Sequence, residues 1–269
     1  MTIAVPKTRN EWLQALEELP PSPAKVPAFF FAHSSPIMEM DIPEIPMGKN
    51  GALSHFLKDF GRVLIEKYQP KAVVVFSAHW DNPGQVLGAR GGPTSSSRFA
   101  RLHIMLVTDY GNENPLYYDY YKLPEEFYQL KFKSHGDSNL ARRIVRLCNQ
   151  VGESGPCLTM NSLPCCFQAG LTARTTTVSE PRGVDGLGEE SSGFDHGVFI
   201  PFRHMFGLET DIPIVEVSID SSFDPEKEWK IGNALDELRY AWPRNGAAAQ
   251  LIDLSFVEGL REYYCSPVD

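Results

Sequence analysis

Two apolar runs in this sequence end on a histidine. AFFFAHSSP carries His33 and VVVFSAHWDNP carries His79, and both runs have the length and the aromatic or β-branched character of a strand. A packed core has little reason to deliver an imidazole to a strand end twice. Two neutral imidazoles with open positions beside them form the heart of a mononuclear non-haem iron site, which adds a carboxylate and leaves room for substrate and dioxygen. Zinc accepts the same pair. A third histidine, His196, lies in GFDHGVFIPF, where Gly193 and Gly197 bracket an Asp-His pair. That pair could set an imidazole in a cleft with Asp195 near it, or Asp195 could simply cap a following helix. The other four histidines have plainer readings. His55 sits in the first turn of an amphipathic stretch, His103 in a stretch without pattern, His135 in the turn-like KSHGD, and His204 in PFRHMFG, where it packs on a helix.

The elements that must position these residues alternate between strand and helix. Between the two histidine-ended strands, ALSHFLKDFGRVLIEKYQP places Leu53, Phe56, Leu57, Phe60, Leu64 and Tyr68 at helical spacing, with Pro70 just beyond. If this unit is a right-handed crossover, the two strands are parallel and both histidines emerge at the carboxyl edge of one sheet. Open α/β sheets place their ligand sites at that edge. Short helices are expected at 10–18 and 137–150, a longer one from Pro225 to residue 242, and a strand within DIPIVEVSID at 211–220. Two stretches, 90–113 and 155–193, show little periodicity and interrupt the pattern. The organisation read from this is an N-terminal helix and Pro-rich lead-in over 1–26, followed by the alternating elements up to residue 242. The alternation of strands and helices places the chain in the α/β class.

Composition limits the partners. The 269 residues are 42% hydrophobic, enough for a sizeable core, and 25 Lys and Arg against 34 Asp and Glu leave a net charge of −9. With no basic run to track a phosphate backbone, nucleic acid is not an expected partner. No segment approaches the roughly 18–20 apolar residues of a membrane span and no signal-like apolar core opens the chain, so a cytoplasmic protein is expected. Cys148, Cys157, Cys165, Cys166 and Cys265 form no CxxC pair, which suits neither a disulfide framework nor a cysteine zinc site. No P-loop, GxSxG elbow or dinucleotide fingerprint competes with the histidines.

Taken in order, FFFAHSSP, FLKDFGRVLIEKYQPKAVVVFSAHWD, NPLYYDYYKLPEEFYQLKFKSHGD, GFDHGVFIPFRHMF, DIPIVEVSIDSS and EKEWKIGNALDELR resemble the class III extradiol ring-cleavage dioxygenases, and within them the 4,5-DOPA extradiol dioxygenase-like branch. The similarity spans most of residues 27–239 and implies an α/β fold in three layers, a mostly parallel or mixed central sheet flanked by helices, with one catalytic domain over 27–242 and a divergent tail over 243–269. It implies a divalent metal, Fe(II) or alternatively Zn(II), held by His33 and His79, with His196 lining the substrate pocket as the catalytic acid/base. It also implies a small catechol-type, DOPA-like diol and O2 as reactants, with the ring opening beside the diol while the protein orients both and moves protons.

Departures from the pattern accompany the resemblance. Relatives continue after the LDELR helix to a further histidine and then to another in a His/Asn-Pro-x-x-Glu-His stretch. Neither is present here, which leaves a two-histidine site unless Glu216 or Asp220 substitutes. Glu216 stands where relatives have Gln, Ser34 where they have Gly, and Lys122 in place of the Gly of an Asp-aromatic-x-Gly-x-Pro pattern, so a tight turn could be distorted. Two other readings follow: a catalytically silent metal- or ligand-binding relative, or a zinc-dependent hydrolase in which Asp195 serves a bound water as general base.

Overall fold

The structure is a computed structural model that describes residues 6–19, 26–30, 33, 35–41, 47–82, 85–86, 101–102, 104–153, 172–176, 193–220, 224–240 and 249–254. Its strands are β1 (Phe29–Phe30), β2 (Ala72–Asn82), β3 (Gln85–Val86), β4 (Arg101–Leu102), β5 (Ile104–Thr108), β6 (Thr172–Thr176), β7 (Ile214–Asp220) and β8 (Ala249–Leu254). The helices are α1 (Arg9–Glu17), α2 (Ala52–Val63), α3 (Ser138–Glu153), α4 (His196–Phe206) and α5 (Pro225–Leu235). Local chemistry starts and stops them. Thr8 and Glu11 form a reciprocal capping box on α1, Asp137 accepts from the N–H groups of Asn139 and Leu140 at the start of α3, and Asp224 caps α5 ahead of Pro225. Helix α2 widens into a π-turn at Leu64–Tyr68 and ends where Gln69 takes a left-handed conformation before Pro70.

Six strands form one sheet in the order β1-β8-β2-β7-β5-β6, while β3 and β4 pair antiparallel by themselves. Strands β1, β8, β2 and β7 run parallel, β5 is antiparallel to β7, and β6 is parallel to β5, so the sheet is mixed. The two histidine-ended strands therefore run the same way, with β8 between them. The buried run Val73–Phe76 is apolar on both faces because both faces are covered. Val73 and Val75 pack with Leu57, Phe60, Phe199 and Phe202 of α2 and α4 on one side. Val74 and Phe76 pack with Ile144, Val215, Ile231 and Leu235, on the side of α3 and α5. Helix, sheet, helix is the three-layer α/β arrangement expected. Helices α2 and α4 touch backbone to backbone at Gly61, where a Cβ would stand 2.2 Å from the Met205 carbonyl oxygen.

Four segments differ from expectation. The patternless stretch 90–113 contains β5, the stretch 155–193 contains β6, and these two pair with each other from Ile104↔Thr172 to Thr108↔Thr176. TARTT is polar and shows no alternation, as suits a sheet edge, which is why periodicity passes over it. The rest of those stretches lies outside the described residues. Residues 249–254, read as part of a divergent tail, supply β8 inside the sheet, beyond the domain boundary read at 242. The helix expected to reach 242 ends at Leu235, tightens to a 3-10 turn at Asp236–Arg239 and leaves Tyr240 extended.

The turn at Lys122 is kept rather than distorted. Lys122 adopts a φ of 58°, the left-handed region natural to glycine. A Lys122→Gly variant is accordingly expected to be more stable by about 0.5–1 kcal/mol, and Lys122→Ala, which retains the Cβ, to gain nothing. Urea midpoints of the three proteins check this.

Candidate metal centre

The site forms where the end of β2 meets the start of α4. Strand β2 stays in register with β7 up to Phe76↔Val217 and resumes at Asp81↔Ile219, so Ser77–Trp80 bulge out opposite a single residue, Ser218. Bulges re-aim side chains beside functional sites, and this one turns His79 toward α4. Its neighbours hold it there. Ser77 Oγ accepts from the His79 backbone N–H at 3.1 Å and donates to Asp195 Oδ1 at 2.9 Å, and the same carboxylate oxygen accepts from the Gly197 N–H at 2.8 Å. Asp195 is thus the N-cap of α4 and its tie to β2. Gly197 makes the approach possible, since a Cβ there would lie 2.9 Å from His79 Cδ2 and 2.9 Å from Asp195 Oδ1.

His33 lies at the same place, just beyond β1, and two residues further on the Ser35 hydroxyl accepts from the Ile37 N–H at the head of the 3-10 turn Pro36–Glu39. The Nε2 atoms of His33 and His79 are 3.0 Å apart. Two ligands at about 2.0–2.1 Å on a tetrahedral centre would stand roughly 3.3 Å apart, so the spacing suits a shared ion. His196 joins them from the first residue of α4, and the three rings offer ligand nitrogens that all lie within 4.8 Å of one another. Its ring centroid is 4.2 Å from that of His79 and 5.5 Å from that of His33. Three imidazoles with an open side form a donor set that accepts iron or zinc.

The carboxylate beside His196 is Asp119, not Asp195. Asp119 Oδ1 lies 2.8 Å from His196 Nδ1 and 2.9 Å from its backbone nitrogen, while Oδ2 is 3.9 Å from His79 Nδ1. The expectation of Asp195 near the imidazole, or as a general base for water, gives way because that side chain is 1% exposed and committed to Ser77 and Gly197. Asp119 and Ser77 were not singled out from the sequence. The signal for Asp119 was a lone carboxylate inside the aromatic run PLYYDYY, where a buried acid needs a partner.

Residues 193–197 explain themselves one by one. Gly193, at φ 136°, passes so close to the chain opposite that a Cβ would stand 2.8 Å from the Pro115 oxygen. The contact lets Phe194 N–H donate to Pro115 O at 2.9 Å and Tyr117 N–H donate to Phe194 O at 2.8 Å. This backbone zipper sets the register that brings Asp119 opposite His196. Of the tyrosines nearby, Tyr120 is buried, Tyr118 is half-buried against the core and Tyr121 is exposed. Tyr120 meets the His196 ring edge-on at 6.0 Å, and its hydroxyl donates to the Phe127 carbonyl at 2.6 Å. Burial, then Tyr118 and Asp119, hold that hydroxyl far above the usual tyrosine pKa.

The remaining candidates lie elsewhere. Glu216 is fully buried in β7, opposite Val75, and is not among the metal-capable side chains gathered with the histidines, so its nomination as a substitute ligand is not upheld. The side chain of Asp220, together with Ser34 and His103, lies outside the described residues. His55 is on α2, and His135 Nε2 contacts the Asp211 carbonyl. His204 is buried on α4 with Nδ1 2.9 Å from Ser54 Oγ and Nε2 3.5 Å from Glu39. Burial lowers its pKa, Glu39 works against that, and Lys58, Arg203 and Lys49 add to the lowering.

The chain matches the family described as the catalytic LigB subunit of aromatic ring-opening dioxygenase over residues 27–250. It is 31% identical over 235 residues to a 4,5-DOPA dioxygenase extradiol-like protein of Schizosaccharomyces pombe, covering 85% of this chain and 62% of that protein. It is 28% identical over 173 residues to dioxygenase tasH of Hapsidospora irregularis, covering 64% and 37%, and 26% identical over 213 residues to the 4,5-DOPA dioxygenase extradiol of Beta vulgaris, covering 78% and 56%. The chain thus spans less than two thirds of the length of these relatives. It belongs to the LigB family, whose members are non-haem metal-dependent dioxygenases of the extradiol type. Among the described residues, no helix is long and apolar enough to cross a membrane.

Two outcomes follow from this geometry. Gly197→Ala forces His79 or Asp195 to move, so stability should fall by about 1–3 kcal/mol and zinc binding to the cluster should weaken, as denaturation and metal titration will report. His204 is held neutral in the fold, whereas in the unfolded chain it takes a proton near the ordinary pKa of about 6.5. Its contribution is complete above that pH and is lost as the pH falls through the lowered folded value. The Tm of the wild type should therefore drop more steeply between neutral and acidic pH than that of His204→Asn.

Proposed function

We propose that this chain acts as a non-haem metal-dependent extradiol dioxygenase that opens the ring of a catechol-type, DOPA-like substrate with O2. The observation that carries the reading is the convergence of His33, His79 and His196 on one point at the sheet's carboxyl edge, in a chain of the LigB family. The names of the relatives as 4,5-DOPA dioxygenases motivate the substrate class.

In this reading His33 and His79 hold the metal, ferrous iron in preference to zinc, and His196 is the catalytic acid/base. The ion, when bound, would supply the redox chemistry that lets O2 react with a catechol. The chain's own residues do the rest. Ser77 and Asp195 keep the His79 ring in the cluster. His196 Nδ1 is taken by Asp119, so Nε2 is the atom left to receive a catechol proton and to return it to the opened product. Phe194 and Phe199, both fully buried, back α4 where it carries His196 and exclude water from behind it.

The roles separate under mutation. Protein loaded anaerobically with ferrous iron should keep the metal as wild type and lose it as His33→Ala or His79→Ala. His196→Gln should retain the metal while ring opening, followed by the absorbance of the product from DOPA or catechol, slows about 10²–10⁴-fold. Iron retained equally by all three variants, or by none of the proteins including wild type, would sink this assignment. Iron lost from His196→Gln would make His196 a ligand instead.

A further inference from the structure

We propose that Asp119 is a positioning residue that locks His196 in the tautomer with the proton on Nδ1, so that the proton-accepting lone pair lies on Nε2; this deepens the acid/base role given to His196 above. Four observations carry it. Asp119 Oδ1 accepts the His196 backbone N–H at 2.9 Å, so that oxygen acts as an acceptor, and the ring nitrogen 2.8 Å from it must be a donor. Asp119 is 6% exposed, which keeps water from competing for either contact. One oxygen gripping both the backbone and the ring of the same residue allows the imidazole neither to flip nor to swing without breaking a bond.

The other two observations concern what surrounds the carboxylate. Its second oxygen faces His79 Nδ1 at 3.9 Å, so a single anionic group sits behind two rings of the cluster and favours positive charge in front of them. Its position is set from outside the site by the bonds that join Pro115 and Tyr117 to Phe194, and by Tyr120, whose buried hydroxyl is anchored on the Phe127 carbonyl. Asp119 is therefore held by its own chain neighbours and does not depend on the imidazole to stay in place. A group with that geometry orients its partner.

Long-range ¹H–¹⁵N spectra of histidine-labelled, metal-free protein at alkaline pH read the tautomer directly, with His196→Gln assigning the signal. The wild type should show one Nδ1–H tautomer for His196, Asp119→Ala a mixture, and Asp119→Asn, whose amide oxygen can still accept, the wild-type pattern. With the metal loaded to equal occupancy, kcat for ring opening should fall about 10–100-fold in Asp119→Ala with KM unchanged, and Asp119→Asn should recover part of it. A wild-type spectrum showing the Nε2–H form or a mixture would overturn the proposal, even if Asp119→Ala fails to fold. So would an Asp119→Ala protein that keeps the single tautomer and full kcat. Should the wild type open no catechol ring at all, the dioxygenase reading fails, while the metal-free spectra still decide what Asp119 does to His196.

Discussion

The contact between Ser77 and Asp195 joins the two halves of the site. The hydroxyl receives the His79 amide and gives its own proton to a carboxylate that also caps α4. Remove that bond and a strand end and a helix start lose their common reference. A buried carboxylate is costly unless its hydrogen bonds are supplied, and here each donor comes from an element that the site has to align. The requirement to satisfy Asp195 is thus also the requirement that His79 and His196 stand side by side. Gly197 is the steric half of the same constraint, because any side chain there would stand where the His79 ring is.

The sheet explains why this junction lies at an edge. Strands β1, β8, β2 and β7 run the same way, so their carboxyl ends open on one side and two of them bring a histidine to it. The apolar run Val73–Phe76, covered on both faces, makes β2 a rigid support up to the point where the bulge begins. Beyond that point rigidity gives way to aim. The bulge frees Ser77–Trp80 from the pairing with β7 so that His79 can face the helix and not that strand. Helix α4 is fixed by its own burial, with Val198, Phe199, Ile200 and Phe202 all inaccessible, and by its close approach to α2 at Gly61. His204, farther along the same helix, uses its imidazole to satisfy Ser54 and stays out of the chemistry.

Polar groups around the site are consistently taken up by fixed partners. Tyr118 and Tyr120 donate to backbone carbonyls, Tyr110 accepts from the Gly193 N–H, and Asp119 and Asp195 each hold at least two donors. Such a network preorganises the rings before any ligand arrives, which is what an acid/base group and a metal pocket both need. Conformational strain is accepted nearby, at Lys122, where the turn after the PLYYDYY segment keeps a glycine-like backbone without a glycine.

Much of this was legible in the linear chain. Apolar runs ending in His33 and His79, the helical spacing of ALSHFLKDFGRVLIEKY and the GFDHG segment made the alternating α/β pattern, the shared direction of the two histidine-ended strands and three candidate imidazoles legible, because burial on both faces of a strand and on one stripe of a helix writes itself into residue periodicity. The tertiary structure alone decided which carboxylate serves His196. Asp195 adjoins it in sequence but is turned away by its duty as a helix cap, and Asp119, far back in the chain, arrives through the backbone bonds between 115–117 and 194. Strands β5, β6 and β8 were hidden for a related reason. Their pairing partners are distant in sequence, and a sheet's hydrogen bonds are made by backbone that every residue carries alike. Periodicity records which side of an element is dry; it holds no record of which distant segment comes to lie against it.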